Sequence, residues 1–254
     1  MNIIVCAKQV IDVSEMKIDS STKKPILKGL PLKISDIDKN AVEEAIKIKD
    51  KLGGKITILT IGPSDAKERI KELLAMGADE GCLVTTDKEI DYYMTATLLS
   101  DAIKKIGAYD LIICGEASTD LFSSQIGPRL AGQLNIPQIT YAQSVDAGKD
   151  KINADRNLGD KVVTTESKYP VLLTVTKEIN EPRLPSLMQI LAAANKPINE
   201  WTAESINSDL KPLVETVDLK GISMERKNIV FDDDIEESIK KLVDSLAKEG
   251  VIGR

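Results

Sequence analysis

Apolar residues follow two alternating textures along this chain. Short β-branched runs recur at Asn2–Ala7 (NIIVCA), Lys55–Ile61 (KITILTI), Gly81–Thr85 (GCLVT) and Leu111–Cys114 (LIIC). Continuous runs of this length mark strands buried on both faces of a parallel sheet. Between them the spacing becomes helical. In Lys39–Leu52 the residues Ala41, Ala45, Ile48 and Leu52 share one face, Glu and Lys take the other, and Gly53-Gly54 stops the helix. Further helices are expected over Asp65–Met76, with Ser64 as N-cap and Gly77 as stop, over Tyr92–Ile106, and over Gln125–Leu134. Strands alternating with helices predict βαβ units. The fold class is therefore α/β, with a mostly parallel sheet, right-handed crossovers and helices on both faces.

The rest of the chain has a different texture. Lys17–Lys33 is polar, broken by Pro25, Gly29 and Pro31, and reads as a surface excursion. Ile136–Ala142, Val162–Lys168 and Pro170–Val175 read as strands, and the polar Asp150–Lys161 as a hairpin turn. Pro182 and Pro185 hold the segment NEPRLPSL in an ordered turn. A short helix Leu187–Ala194 follows and Pro197 stops it. From Ile198 the chain reads as linker until Asp232, where three aspartates open a helix with Ile235, Ile239, Leu242 and Leu246 on one face. The expected division is an α/β domain over 1–195 and a C-terminal arm over 196–254 that docks on its own sheet or on a partner.

Ligands of open parallel sheets sit outside the carboxyl ends of the strands. The loops there, Cys6–Ser14, Gly62-Pro63, Thr85–Glu89 and Gly115–Ser124, are expected to line one crevice. Within Asp110–Gly132 (DLIICGEASTDLFSSQIGPRLAG) a strand, a polar loop and a helix succeed one another. Free N–H groups and the dipole at that helix start favour an anion. Ser123 and Ser124 offer hydroxyls, Gly127 permits close approach, and Asp120 can take a ribose hydroxyl. The same pattern also describes an ordinary strand-to-helix loop with a serine N-cap. Asp36 and Asp38 suit capping of the helix ahead of Lys39, a role compatible with nucleotide contact. No G-x-G-x-x-G and no G-x-x-x-x-G-K-[ST] occurs, so the site is neither a standard dinucleotide fingerprint nor a Walker loop.

Composition narrows the chemistry. The chain has 254 residues, 34 basic against 40 acidic side chains, and only 3% aromatics, which argues against a nucleic-acid binder. It has no histidine, which excludes a Ser-His-Asp triad and the usual zinc sets, so no catalytic residue and no metal site is named. The three cysteines, Cys6, Cys82 and Cys114, lack CxxC spacing and read as reduced core residues of a cytoplasmic protein. No membrane-length apolar run is present.

Taken together, MNIIVCAKQVID, ISDIDKNAVEEA, LLAMGADEGCLV, the segment from Asp110 to Tyr141, and INEPRLPSLMQIL resemble, in order and spacing, the β subunits of electron transfer flavoproteins. The likeness runs from residue 1 to about Trp201. It implies a Rossmann-like adenine-nucleotide-binding fold and a heterodimer with a larger α subunit that carries an FAD. It also implies a second nucleotide in this chain, either a structural AMP or a second FAD of the electron-bifurcating type, with FAD favoured by the polar helix start Asp38-Lys39-Asn40. Carried over residue by residue, the nucleotide is expected at Cys6, Ala7, Ser35, Asp36, Ile37, Asp38, Asn40, Ile61, Gly62, Gly115, Asp120, Ser123, Ser124, Gln125, Ile126, Gly127 and Leu130. Val13 and Ile37 match positions facing the partner's flavin. Arg183, Pro185 and Leu187 match the loop that docks on acyl-CoA-type dehydrogenases, Leu187 being its anchor; the alternative for Leu187 is a packing residue at a helix start. The loop Glu116–Phe122 departs from the family's acidic run, and Phe122 could fill space an isoalloxazine needs. Arg156, followed by Asn-Leu-Gly-Asp-Lys, matches another family signature only in part. The rival readings are a stand-alone universal-stress-like nucleotide-binding module and a nucleotidyl-transfer enzyme.

Overall fold

The computed structural model describes residues 1–207, 209–221 and 227–253. In chain order the elements are β1 (Asn2–Cys6), β2 (Gln9–Ile11), a 3-10 turn (Val13–Glu15), β3 (Lys17–Ile18), β4 (Pro25–Ile26), β5 (Leu32–Ile34), α1 (Asp36–Leu52), β6 (Lys55–Gly62), α2 (Ala66–Met76), β7 (Glu80–Thr85), α3 (Tyr92–Ile106) and β8 (Leu111–Gly115). There follow α4 (Ile126–Leu134), β9 (Gln138–Ala147), β10 (Lys151–Asn157), β11 (Val162–Lys168), β12 (Val171–Val175), a 3-10 turn (Lys177–Ile179), α5 (Leu187–Ala193), β13 (Ile198–Thr202), α6 (Ala203–Ile206) and α7 (Ile235–Lys248).

Nine strands form one sheet in the order β11-β10-β9-β12-β8-β1-β6-β7-β13. Pairing is parallel from β9 to β13, and β10 pairs antiparallel with both β9 and β11. Alternation along β1 separates two cores. Ile3 and Val5 face α1 and α2, meeting Ala41, Val42, Ile70 and Leu73. Ile4 and Cys6 face α3 and α4, meeting Leu98, Ala102, Leu130 and Ala131. Each fully buried Ile or Leu contributes roughly 1.5–3 kcal/mol, so burial on both faces makes these central strands the main source of the sheet's stability.

From β1 the chain builds outward through β6 and β7 on one side and through β8 and β12 on the other. The order reverses between β1 and β8, which is the topological switch point of the sheet.

Two sequence expectations change. Asp150–Lys161 is not merely a turn: Lys151–Asn157 is a strand, with Ile152 and Ala154 buried and polar neighbours turned outward. The arm does not begin at 196, because Ile198–Thr202 pairs in parallel with β7 and completes the sheet edge. Its polar residues mark a half-exposed edge strand, which lacks the apolar run of a central one. By internal contacts the chain divides into Met1–Lys17 with Ile26–Asp218, and Ile18–Pro25 with Leu219–Arg254. In the second unit, α7 is capped by Asp234, whose carboxylate accepts the N–H groups of Glu236 and Glu237. None of its residues is buried, and Ile235, Ile239 and Leu242 stand exposed.

Candidate functional site

The carboxyl ends of β1, β6 and β8 enclose a cavity of about 320 Å³ at the switch point. Cys6, Ala7 and Lys8 reach it from β1, Ile61 and Gly62 from β6, and Cys114 and Gly115 from β8. Thr86, Lys88, Tyr92 and Thr95 line it from the β7–α3 connection and the start of α3. Ser123, Ser124, Gln125 and Ile126 bring the start of α4 to it. Gln125, the N-cap of α4, makes no side-chain cap hydrogen bond, so the first-turn amides keep their capacity for an anion.

One buried carboxylate organises the loops around this cavity. Ser35 is the N-cap of α1 and Asp38 lies in its first turn. Asp38 Oδ2 accepts the Lys8 N–H at 2.8 Å. The Gly115 N–H also bonds this carboxylate, so the ends of β1 and β8 converge on it. Burial pushes the Asp38 carboxyl up to about 7, against the opposing pull of those two N–H groups. Position 115 must be glycine: a Cβ there would lie 2.5 Å from Asp38 Oδ1 and 3.1 Å from Ile37. Lys8 Nζ turns to Asp120 Oδ2 at 2.7 Å. Burial alone would raise Asp120, but the Lys8 hydrogen bond and its companions outweigh burial and hold it below the usual range.

The expected residues thus fall into two groups. Cys6, Ala7, Asp38, Ile61, Gly62, Gly115, Ser123, Ser124, Gln125 and Ile126 line the cavity. The others support it from behind. Ser35 Oγ accepts the Thr119 N–H, and Asp36 pairs with Lys33 at 3.0 Å. Ile37 is buried beneath Gly115. Asn40 donates to the carbonyls of Lys177 and Asn180 and so pins the turn after β12. Asp120 reaches the cavity only through Lys8. Gly127 lies against Thr174, and Leu130 is buried in the core. Among single residues, Lys8, Tyr92 and Thr95 were not singled out in the sequence. The signal for Tyr92 and Thr95 is their i, i+3 spacing at the first turn after β7. Phe122 is 65% exposed and does not line the cavity. A smaller hollow of about 270 Å³, with Tyr141, Arg156 and Thr174, shares Glu116 and Ser124 with it.

A second surface lies around the Pro-rich turn. Arg183 grips Glu43 with two hydrogen bonds of 2.8 and 3.0 Å. Ser186 and Gln189 form a capping box at the start of α5. Between these anchors Leu184 is 92% exposed and Leu187 71% exposed, with Pro185 half-buried. Leu187 therefore packs little against the rest of this chain. Val13 is exposed on its 3-10 turn.

The electron transfer flavoprotein domain model matches residues 26–206. The chain belongs to the electron transfer flavoprotein family. It is 42% identical, over 99% of its length and all of the relative's, to the electron transfer flavoprotein subunit beta of Thermoanaerobacterium thermosaccharolyticum. It is 38% identical to the caffeyl-CoA reductase-Etf complex subunit CarD of Acetobacterium woodii, over 81% of this chain and 80% of that one. It is 31% identical to the acryloyl-CoA reductase electron transfer subunit gamma of Anaerotignum propionicum, over 99% of this chain and all of that one. Membership of a flavoprotein family with electron-transfer subunits does not favour the stand-alone stress-like reading. No helix among the described residues is long and apolar enough to cross a membrane.

Proposed function

We propose that this chain is the small subunit of a heterodimeric electron transfer flavoprotein. It pairs with a larger α subunit in the cytoplasm and exchanges electrons with an acyl-CoA-type flavin dehydrogenase. The cavity at the β1–β8 switch point carries this reading, since crevices there are where α/β sheets take nucleotides. Ser123, Ser124 and the α4 amides would hold phosphate, with Lys8 adding positive charge. Gly62 and Gly115 keep side chains out of the cleft, and Asp38 positions the Lys8 and Gly115 backbone.

The nucleotide we assign to this cavity is FAD, in preference to AMP. The outward position of Phe122, which leaves the cavity free of its ring, supports that choice. A flavin supplies the redox chemistry; this chain's residues bind it, orient it and shield its adenine half. The relatives named for caffeyl-CoA and acryloyl-CoA reductases support a CoA-ester dehydrogenase as redox partner and leave room for bifurcation. Co-expression with a larger flavoprotein subunit tests the assembly. Sedimentation is expected to show a stable one-to-one heterodimer; a monomer that ignores such a subunit overturns it.

A further inference from the structure

Cys6 and Cys114 stand directly opposite each other on neighbouring parallel strands. Both side chains belong to the core on the α3–α4 side and both line the cavity. Both are free thiols, 7% and 4% exposed. Neighbouring strands are about 4.8 Å apart. That lies inside the roughly 4.4–6.8 Å range of Cα separations a disulfide spans, towards its short end.

We propose that Cys6 and Cys114 are a dithiol switch in the cavity, closed to a disulfide by a peroxide, and that closure displaces the nucleotide. This rests on the nucleotide reading of the same cavity. The Cys6 sulfur attacks one peroxide oxygen, the O–O bond breaks, and water leaves with a sulfenic acid on Cys6. The Cys114 sulfur then attacks that sulfur, an S–S bond forms, and a second water leaves. Two thiols have lost two electrons and two protons, and hydrogen peroxide has become two waters. Cys6 is the slightly more exposed of the two and reacts first; Cys114 beside it, its thiol held up by the adjoining Cys6 thiol and by burial, is the resolving partner.

Closure reaches the nucleotide through the backbone. The next residue after Cys114 is Gly115 and the second after Cys6 is Lys8, the two whose N–H groups meet Asp38. Drawing the two strand ends together disturbs the turns that shape the cleft. Cys82 is the internal control: it is buried, does not line the cavity, and has its thiol pushed up to about 11 by burial.

The test treats the nucleotide-free full chain with hydrogen peroxide, blocks remaining thiols with iodoacetamide, and maps peptides by mass spectrometry. Expected are a dithiothreitol-reversible peptide pair joining Cys6 to Cys114, an alkylated Cys82, slower linkage in the presence of AMP, and loss of AMP binding once linked. Cys114→Ser should abolish the link and Cys82→Ser should keep it. Unlinked Cys6 and Cys114 after peroxide, or a link that leaves AMP binding unchanged, overturns the proposal. The wild-type map decides the link even where a serine variant fails to fold. If the reduced chain itself binds neither FAD nor AMP, the nucleotide reading fails and the coupling with it, while the map still decides the dithiol.

Discussion

Asp38 and Lys8 are joined by a hydrogen bond from the Lys8 N–H to the Asp38 carboxylate, 2.8 Å long, between the first turn of α1 and the end of β1. Facing the same carboxylate are the Gly115 N–H, the Lys8 ammonium, the Asp120 carboxylate and the Cys114 thiol. Burial of this carboxyl makes the stability of the folded chain depend on pH.

Burial raises the Asp38 carboxyl to about 7 from an unfolded value of 3.8. The folded chain therefore binds the extra proton between those values. Stability from this group is fully present below pH 3.8 and is lost as pH rises through about 7. The loss is on the order of 2 kcal/mol or more. Urea unfolding at stepped pH should show wild type losing stability across that window, and Asp38→Asn should flatten the slope there.

Gly127 gives a packing prediction. A Cβ at this position would collide with the Thr174 Cγ2 methyl. Gly127→Ala should destabilise the chain by roughly 1–3 kcal/mol through overpacking. Adding Thr174→Ser removes that methyl, keeps the hydroxyl that accepts the Tyr141 N–H, and should restore most of the loss in thermal melts.

How much of this was legible beforehand follows burial. The central strands and helices α1 to α4 were readable because their apolar positions keep one period under double-sided burial. The loops around the cavity were readable too, since strand order and carboxyl ends define them. Lys151–Asn157 and Ile198–Thr202 were not, because strands with an exposed face carry the charges of a loop. Around the site, Asn40 and Ser35 hydrogen-bond to backbone groups that are distant in sequence and brought close only by the fold, partners that no local pattern reveals.

Arg183 holds the Pro-rich turn through a Glu43 side chain that is only 5% exposed. Arg183→Ala leaves that buried carboxylate with the backbone N–H of residue 183 but without its cation, at a cost of roughly 1–3 kcal/mol. Chemical denaturation should register the loss, and limited proteolysis should cut the turn faster than in wild type.

Leu187 offers an exposed anchor beside that turn. Truncating a hot-spot side chain costs roughly 2 kcal/mol or more of binding. Leu187→Ala should slow electron exchange with the dehydrogenase while flavin content stays normal. Lost flavin with unchanged transfer per bound flavin would contradict the docking role.

The nucleotide itself is the most direct test. The purified heterodimer is denatured and the released nucleotides are separated and quantified by chromatography. Two FAD per heterodimer is the predicted result, one from the larger subunit and one from the cavity between β1 and β8. One FAD accompanied by one AMP contradicts a redox-active nucleotide in this subunit.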